Sequence, residues 1–260
     1  MKRQVILKTS DEIALMEKSA EVLGRLHGEL AKRVKPGIKT IDLDVFAEAY
    51  IKDHSGVPSF KGFNGFPYTL CISVNDVVVH GFPGKYELKE GDIISIDCGV
   101  KLNGFHADSA YTHPVGAVKP EVLKFLRVTK ESLYRGIAQV APNNRVGDIG
   151  YAIQHFVEAE GYSVVRPLVG HGLGKSLHEA PEVPNYGKRG QGQKLMNGIV
   201  IAIEPMINMG KKEVVQDSDG WTIRTSDRSF SAHYEHTVAL IDGEAKVLTT
   251  FKHIEEVYNL

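Results

Sequence analysis

Five side chains spread over more than half of the chain have types and settings suited to metal chemistry: Asp97, Asp108, His171, Glu204 and Glu235. Each lies in or beside an apolar, strand-like or glycine-rich stretch, where an ionised carboxylate is costly unless it is paired or holds a metal. Four carboxylates and one imidazole form an oxygen-rich ligand set suited to a pair of divalent first-row ions. Two such ions can activate water and stabilise the charge that develops during hydrolysis. The pattern points to a metallohydrolase.

Taken one at a time, the ligands carry less weight. Asp97 closes the apolar run from Ile93, and Asp108 lies in His106-Ala107-Asp108-Ser109. A loop at 101–104 predicts a hairpin with Asp97 directly opposite Asp108, their Cβ atoms about 5 Å apart. Bare carboxylates there would repel, and one would keep its proton to a raised pH. Two cations remove that conflict and are favoured over an aspartic dyad or a surface pair. His171 lies in Val169-Gly170-His171-Gly172-Leu173-Gly174. A lone histidine is usually structural or exposed, but flanking glycines allow backbone and ligand to approach closely. Their spacing is not that of a phosphate-binding loop. Glu204 follows Ile201-Ala202-Ile203, and Glu235 enters the strand-like Val238-Ala239-Leu240-Ile241. Either could instead cap a loop or pair with an arginine. Other catalytic templates fail: Pro181 and Glu182 follow His178-Glu179, so no second zincin histidine is present. No G-x-S-x-G elbow occurs, and neither Cys71 nor Cys98 has a catalytic context.

The elements that must hold these residues are legible from periodicity. Thr9-Ser10-Asp11-Glu12 reads as a capping box opening a helix with a stripe at Ile13, Met16, Ala20, Leu23, Leu30 and Val34, closed by Pro36-Gly37. A second helix follows Thr40 and ends near Gly56. Two more are expected after Pro120 and from Val146 to Glu160. Strands are expected between Tyr68 and His80, from Asp92 to Cys98, from Phe105 to Thr112, from Ile199 to Ile207 and from Ala232 to Ile241. Leu88, Gly91, Ile94, Ile96 and Asp97 match Leu195, Gly198, Ile201, Ile203 and Glu204 at a constant offset of 107 residues. Val34, Pro36 and Asp42 match Val140, Pro142 and Asp148 at an offset of 106. This faint duplication predicts two similar halves, each bringing an acid to the end of an apolar strand.

Composition narrows the class. The 260 residues carry a formal net charge of -1 with 24% charged residues, which does not announce nucleic acid or an anionic membrane. The N-terminal stretch lacks the apolar run of a secretory signal, and no apolar segment reaches transmembrane length. Two cysteines without a pairing pattern fit free core thiols in a reducing compartment. A soluble cytoplasmic protein is expected.

In order along the chain, Asp97 with Asp108, Gly170-His171-Gly172-Leu173-Gly174 with His178-Glu179, Ile203-Glu204-Pro205 and Glu235-His236-Thr237 resemble the motifs of methionine aminopeptidases. The absence of a large N-terminal domain, a long insertion between Glu204 and Glu235, or a cysteine-rich extension is similar to the short, bacterial type I form. The resemblance covers essentially the whole chain. It implies an α+β pita-bread fold: pseudo-two-fold halves with a curved antiparallel sheet covered by helices, forming one catalytic domain over residues 1–260. It also implies that Asp97 chelates one ion, His171 and Glu204 the other, and that Asp108 and Glu235 bridge them. Glu204 would double as the proton shuttle, with His80 and His178 as substrate-contacting histidines.

By the same resemblance, Phe63, Phe66, Cys71 and Trp221 fall on the pocket that holds an unbranched thioether, which aromatic walls suit. Phenylalanines stand where tyrosines are frequent, Leu177 replaces a usual aromatic, and His233 stands where glutamine is usual. Backbone carbonyls of Asn75, Val77 and Ser231 correspond to a site for one Na or K ion. The divalent pair would be drawn from Mn, Fe, Co or Zn. The implied activity is removal of initiator methionine from nascent proteins with a small second residue, by attack of metal-activated hydroxide on the first peptide bond. The implied enzyme is a cytoplasmic monomer in transient contact with the ribosome, with no membrane or sequence-specific nucleic-acid partner. The alternatives are a same-fold peptidase specific for proline, or a non-catalytic binding module, which would be expected to lose ligands.

Overall fold

The computed structural model describes residues 4–259, so both ends of the domain expected over 1–260 lie outside the described residues. Helix α1 (Ser10–Ala31) starts at the predicted capping box: Glu12 N–H donates to Thr9 Oγ1 and Thr9 N–H donates to the Glu12 carboxylate. Ile13, Met16, Ala20, Leu23 and Leu30 are buried along one stripe. Val34 lies past the helix end, in a turn whose N–H donates to the Leu30 carbonyl. Helices α2 (Thr40–Asp53), α3 (Pro120–Ile137) and α4 (Val146–Ala159) form where periodicity predicts them. A fifth, α5 (Lys252–Tyr258), has no counterpart in that reading, because seven residues are too few to show a helical period.

A nine-stranded antiparallel sheet carries the rest. Its centre is the hairpin Ile93–Leu102 with Phe105–Pro114, flanked on one side by Leu70–Val74. On the other side follow Glu235–Ile241, Val200–Ile203, Gly170–Gly172 and Glu179–Val183. Side chains alternate across a strand. Ile94, Ile96 and Cys98 therefore pack with Leu23, Leu30, Leu43 and Ile51 of α1 and α2, while Asp97 faces away from them. Phe125, Leu133, Ile149 and Ile153 of α3 and α4 likewise cover Ile201, Ile203, Val238 and Leu240. The α+β class expected from the sequence is the architecture observed.

The duplication is visible in the backbone. An isolated antiparallel bridge joins Lys39 to Glu87, and its equivalent in the second half joins Arg145 to Lys194. Leu88 N–H donates to the Ile38 carbonyl at 2.9 Å, and Leu195 N–H donates to the Asn144 carbonyl at 2.8 Å. These pairs obey the same offsets as the sequence matches, so each half repeats helices followed by antiparallel strands.

The central hairpin corrects one expectation. Asn103-Gly104 forms a two-residue turn with φ of 53° and 85°, and Leu102 pairs with Phe105. Asp97 therefore lies opposite Ala110, and Asp108 opposite Gly99. Both residues of an Asn-Gly turn tolerate positive φ, and its twist matches the strands, so it wins over a four-residue loop. The shift is by two residues, which keeps Asp97 and Asp108 on one face as diagonal neighbours. The expected strand from Ile199 to Ile207 is also broken after Ile203 and resumes at Met206–Asn208, because Pro205 has no N–H for the ladder.

Gly104→Ala should cost about 1 kcal/mol, since a Cβ disfavours this backbone region. Urea unfolding of the metal-free protein checks it, and an unchanged midpoint would count against the two-residue turn.

Candidate metal centre and substrate pocket

The register places the candidate ligands along one line. Cys71 pairs with Asp97, Asp97 with Ala110, and Ala110 with Glu235, so these four residues form a row across three ladders on one face. His236 pairs with Ile203, and the next step of that register sets Glu204 beside Glu235. Asp108, two residues from Ala110, points to the same face. His171 enters from the neighbouring strand, with Nε2 3.6 Å from Glu204 Oε1 and 3.9 Å from Asp108 Oδ2. One ligand atom each from Asp108, His171 and Glu235 lies within 4.8 Å of the others. All five predicted ligands are thus brought to one place.

The backbone around them is tightly tied. Gly170 and Gly172 flank His171 where a Cβ would fall 2.3 Å from the Ala202 carbonyl oxygen and 2.2 Å from that of Ala180. No other residue fits between these strands. The Asp108 N–H donates to Thr237 Oγ1, whose hydroxyl donates back to the Asp108 carbonyl. Ser109 Oγ donates to the Glu235 carbonyl, and Asn185 Nδ2 to that of Glu204.

The electrostatics fit a cation pair. Asp97 Oδ1, Asp108 Oδ1 and Glu235 Oε1 are buried and have no hydrogen-bond partner among the described residues. Buried acceptors are rarely left so. Burial, reinforced by neighbouring carboxylates, pushes the Asp97 and Glu235 carboxyls well above the usual range; burial and Asp108 do the same to Glu204. Burial raises Asp108 to about 7. The His171 imidazole is pushed down to about 3 by burial and then by His178, so it is neutral, as a ligand must be. With Nδ1–H donating to the Gly172 carbonyl at 3.0 Å, its Nε2 lone pair faces the carboxylates. Crowded hard oxygens with one neutral imidazole are the donor set a pair of divalent ions requires.

A cavity of about 460 Å³ opens over this row. Phe63, Phe66, Cys71, His80, His178 and Trp221, all predicted, line it together with the five candidate ligands. The Phe66 ring stands edge-on to Trp221 at 5.1 Å and to Phe82 at 5.5 Å. Leu177 is buried in the same wall. Phe60 and Met206 also line the cavity and were not singled out from sequence. The run of aromatics from Phe60 to Tyr68 was the available signal for Phe60, whereas Met206 had none.

His80 holds a φ of 58°, a region that histidine enters only when its surroundings require it. Burial and then His178 hold it neutral at about 4. His178 is exposed, its ring 4.1 Å from that of His171 and edge-on to Phe63 at 4.9 Å. His233 is buried with Nε2 3.8 Å from Glu204 Oε2, so the position that departs from the family pattern lies beside a candidate ligand. Away from the cavity, the Asn75 carbonyl accepts the Ser231 N–H at 2.8 Å, and Val77 begins the strand Val77–Val79. Cys71 and Cys98 are both free and buried.

An antiparallel sheet in duplicated halves, holding such a centre beneath an apolar cavity, defines a metallopeptidase. The family model described as Metallopeptidase family M24 matches residues 14–242, and the chain belongs to that family. Within it, the chain groups with the methionine aminopeptidases. The Clostridium perfringens enzyme is 54% identical over 248 residues, covering 95% of this chain and 100% of that one. The methionine aminopeptidase 1 of Bacillus subtilis is 48% identical, covering 94% and 99%. The crystal structure of the Thermotoga maritima methionine aminopeptidase superposes with a TM-score of 0.93 at 40% identity, covering 95% and 100%. The pita-bread fold is thereby the fold of this chain. The prolidase from Pyrococcus furiosus, at 22% identity and a TM-score of 0.76 over 94% of this chain and 65% of that one, shares the fold alone. Family membership carries divalent-metal binding with it. Among the described residues no helix is long and apolar enough to cross a membrane.

The Asp108 carboxyl gives a pH signature. Its folded value of about 7 exceeds the unfolded value of about 3.9, so its contribution to stability is complete below pH ~4 and is lost as pH rises through 7. Metal-free Asp108→Asn should melt close to the wild type near pH 4, then increasingly above it toward pH 8. Parallel melting curves across that range would contradict a proton-holding Asp108.

Proposed function

We infer that the protein is a two-metal aminopeptidase of a single catalytic domain, which releases the N-terminal methionine of nascent proteins whose second residue is small. The observation that carries this reading is the row of Asp97, Glu235 and Glu204, with Asp108 and His171, along the floor of an aromatic-walled cavity. Asp97 would hold one ion and His171 with Glu204 the other, with Asp108 and Glu235 shared. When bound, the ions supply Lewis-acid activation of water and neutralise the carboxylates.

The chain's own groups do the remaining work. Phe63, Phe66, Cys71 and Trp221 enclose the thioether side chain and exclude water from it, with sulfur–ring contacts favouring methionine. Glu204 takes the proton of the attacking water at a carboxylate oxygen and returns it to the departing amine. His178 donates a hydrogen bond to the scissile carbonyl oxygen, and His80, held neutral in the same cavity, bonds the peptide backbone. Carbonyls of Asn75, Val77 and Ser231 would hold one Na or K ion that stiffens the segment leading to His80. A cytoplasmic monomer working beside the ribosome suits such a substrate.

Metal-depleted protein reloaded with Mn, Fe, Co or Zn should release methionine from a Met-Gly peptide and leave X-Pro peptides intact. Failure with every metal would sink the assignment, and preference for X-Pro would move the protein to the proline-specific branch. Glu204→Gln should lower kcat by about 10²–10⁴-fold. Wild-type turnover in that variant would remove Glu204 from the proton path.

A further inference from the structure

The segment that carries His178 is clamped from the far end of the chain. His171 and His178 stand on either side of one tight connection, between Gly170–Gly172 and Glu179–Val183, where Gly172 pairs with Glu179. Immediately after His178, the Glu179 carboxylate accepts the Ser176 N–H at 3.1 Å and the Lys8 ammonium at 2.6 Å, from a residue 171 positions away. The two side chains are only 5% and 3% exposed. Lys8 is itself fixed: its N–H donates to the Gly198 carbonyl at 2.7 Å and its Nζ to the Ile6 carbonyl at 2.8 Å. The connection turns against this pair, since a Cβ on Gly174 would fall 2.4 Å from Lys8 Cε and 2.9 Å from Glu179 Oε1.

We propose that Lys8, through its buried ion pair with Glu179, is a positioning residue that holds the His178 imidazole over the cavity. A buried ion pair adds little net stability over well-packed apolar side chains, so stability alone gives a weak reason for one here. What it supplies is direction: a short bond from an anchored ammonium to the residue next to His178. His178 is exposed on a connection, where backbone drift is expected unless something pins it. A displacement of about 1 Å at a catalytic group can cost on the order of 100-fold in rate. The proposal rests on the assignment of His178 as a substrate-contacting group.

The test compares metal-loaded wild type with Lys8→Met, Lys8→Arg, His178→Ala and Lys8→Met/His178→Ala, measuring methionine release, metal content and melting. Lys8→Met should lower kcat by about tenfold or more with KM within about threefold and metal content unchanged. Lys8→Arg should recover most of the loss, because a guanidinium can still reach Glu179. The double variant should be no slower than His178→Ala alone, as groups acting through one another are not additive. If Lys8→Met does not fold, Glu179→Gln, which keeps an acceptor for Ser176, carries the same expectations and the same cycle. Wild-type kcat in the pair variant, or losses that multiply in the double variant, would overturn the proposal. Wild-type kcat in His178→Ala would instead overturn the role of His178 itself.

Discussion

The mutual repulsion of buried carboxylates is the constraint around which this structure is organised. Asp97, Asp108, Glu204 and Glu235 share one face of one sheet, and three of their oxygens are buried without a hydrogen-bond partner among the described residues. Without cations the cluster relieves itself by holding protons: burial pushes every one of these carboxyls upward, and neighbouring carboxylates add to it at Asp97, Glu204 and Glu235. Backbone hydrogen bonds from Cys98 to Asp97 and from Ser109 to Asp108 offset only part of this. Ladders, the Asp108–Thr237 exchange and the Ser109 hydroxyl fix where each acid must stand. A site that cannot relax is one whose charge must be matched from outside, and that is the property a metallopeptidase needs.

The same logic reaches the histidines. His80, His171 and His233 are all held neutral, principally by burial, at values of about 3 to 4. Neutral imidazoles can offer a lone pair to a cation or share a hydrogen bond with a peptide, whereas imidazolium could do only the second. Acid and base groups are thus shifted in opposite directions by one cause, the removal of water. The aromatic wall of the cavity, with Phe60, Phe66, Cys71 and Leu177 buried together, belongs to the same apolar surroundings.

Much of this was legible in the sequence because the ligands sit where their residue types are out of place. An aspartate ending Ile-Ile-Ser-Ile and a glutamate after Ile-Ala-Ile stand out against their strands, and the repeat offset ties them together. Helix starts were also clear, since capping at Thr9 and proline at the head of α3 are local signals. Pairing register was less so. It turned on whether Asn103-Gly104 or a longer segment makes the turn, and only the two-residue solution carries the correct strand twist. Met206 and the Lys8–Glu179 pair were invisible because their meaning comes from contacts made across the fold rather than from neighbours in the chain. The pocket was partly legible through its aromatics, but which rings face inward depends on packing against Trp221 and Phe82.

The division of the ligands between the two halves has one more consequence. Asp97 and Asp108 come from the first repeat and His171, Glu204 and Glu235 from the second, so ions shared among them would bind the halves to each other. The chain's two thiols are free and both belong to the first half, so no disulfide joins the halves. Its crosslink would be ionic and exchangeable, tightened or loosened by the metal supply around it. The coherence of the whole molecule, not only its chemistry, would then follow the composition of its surroundings.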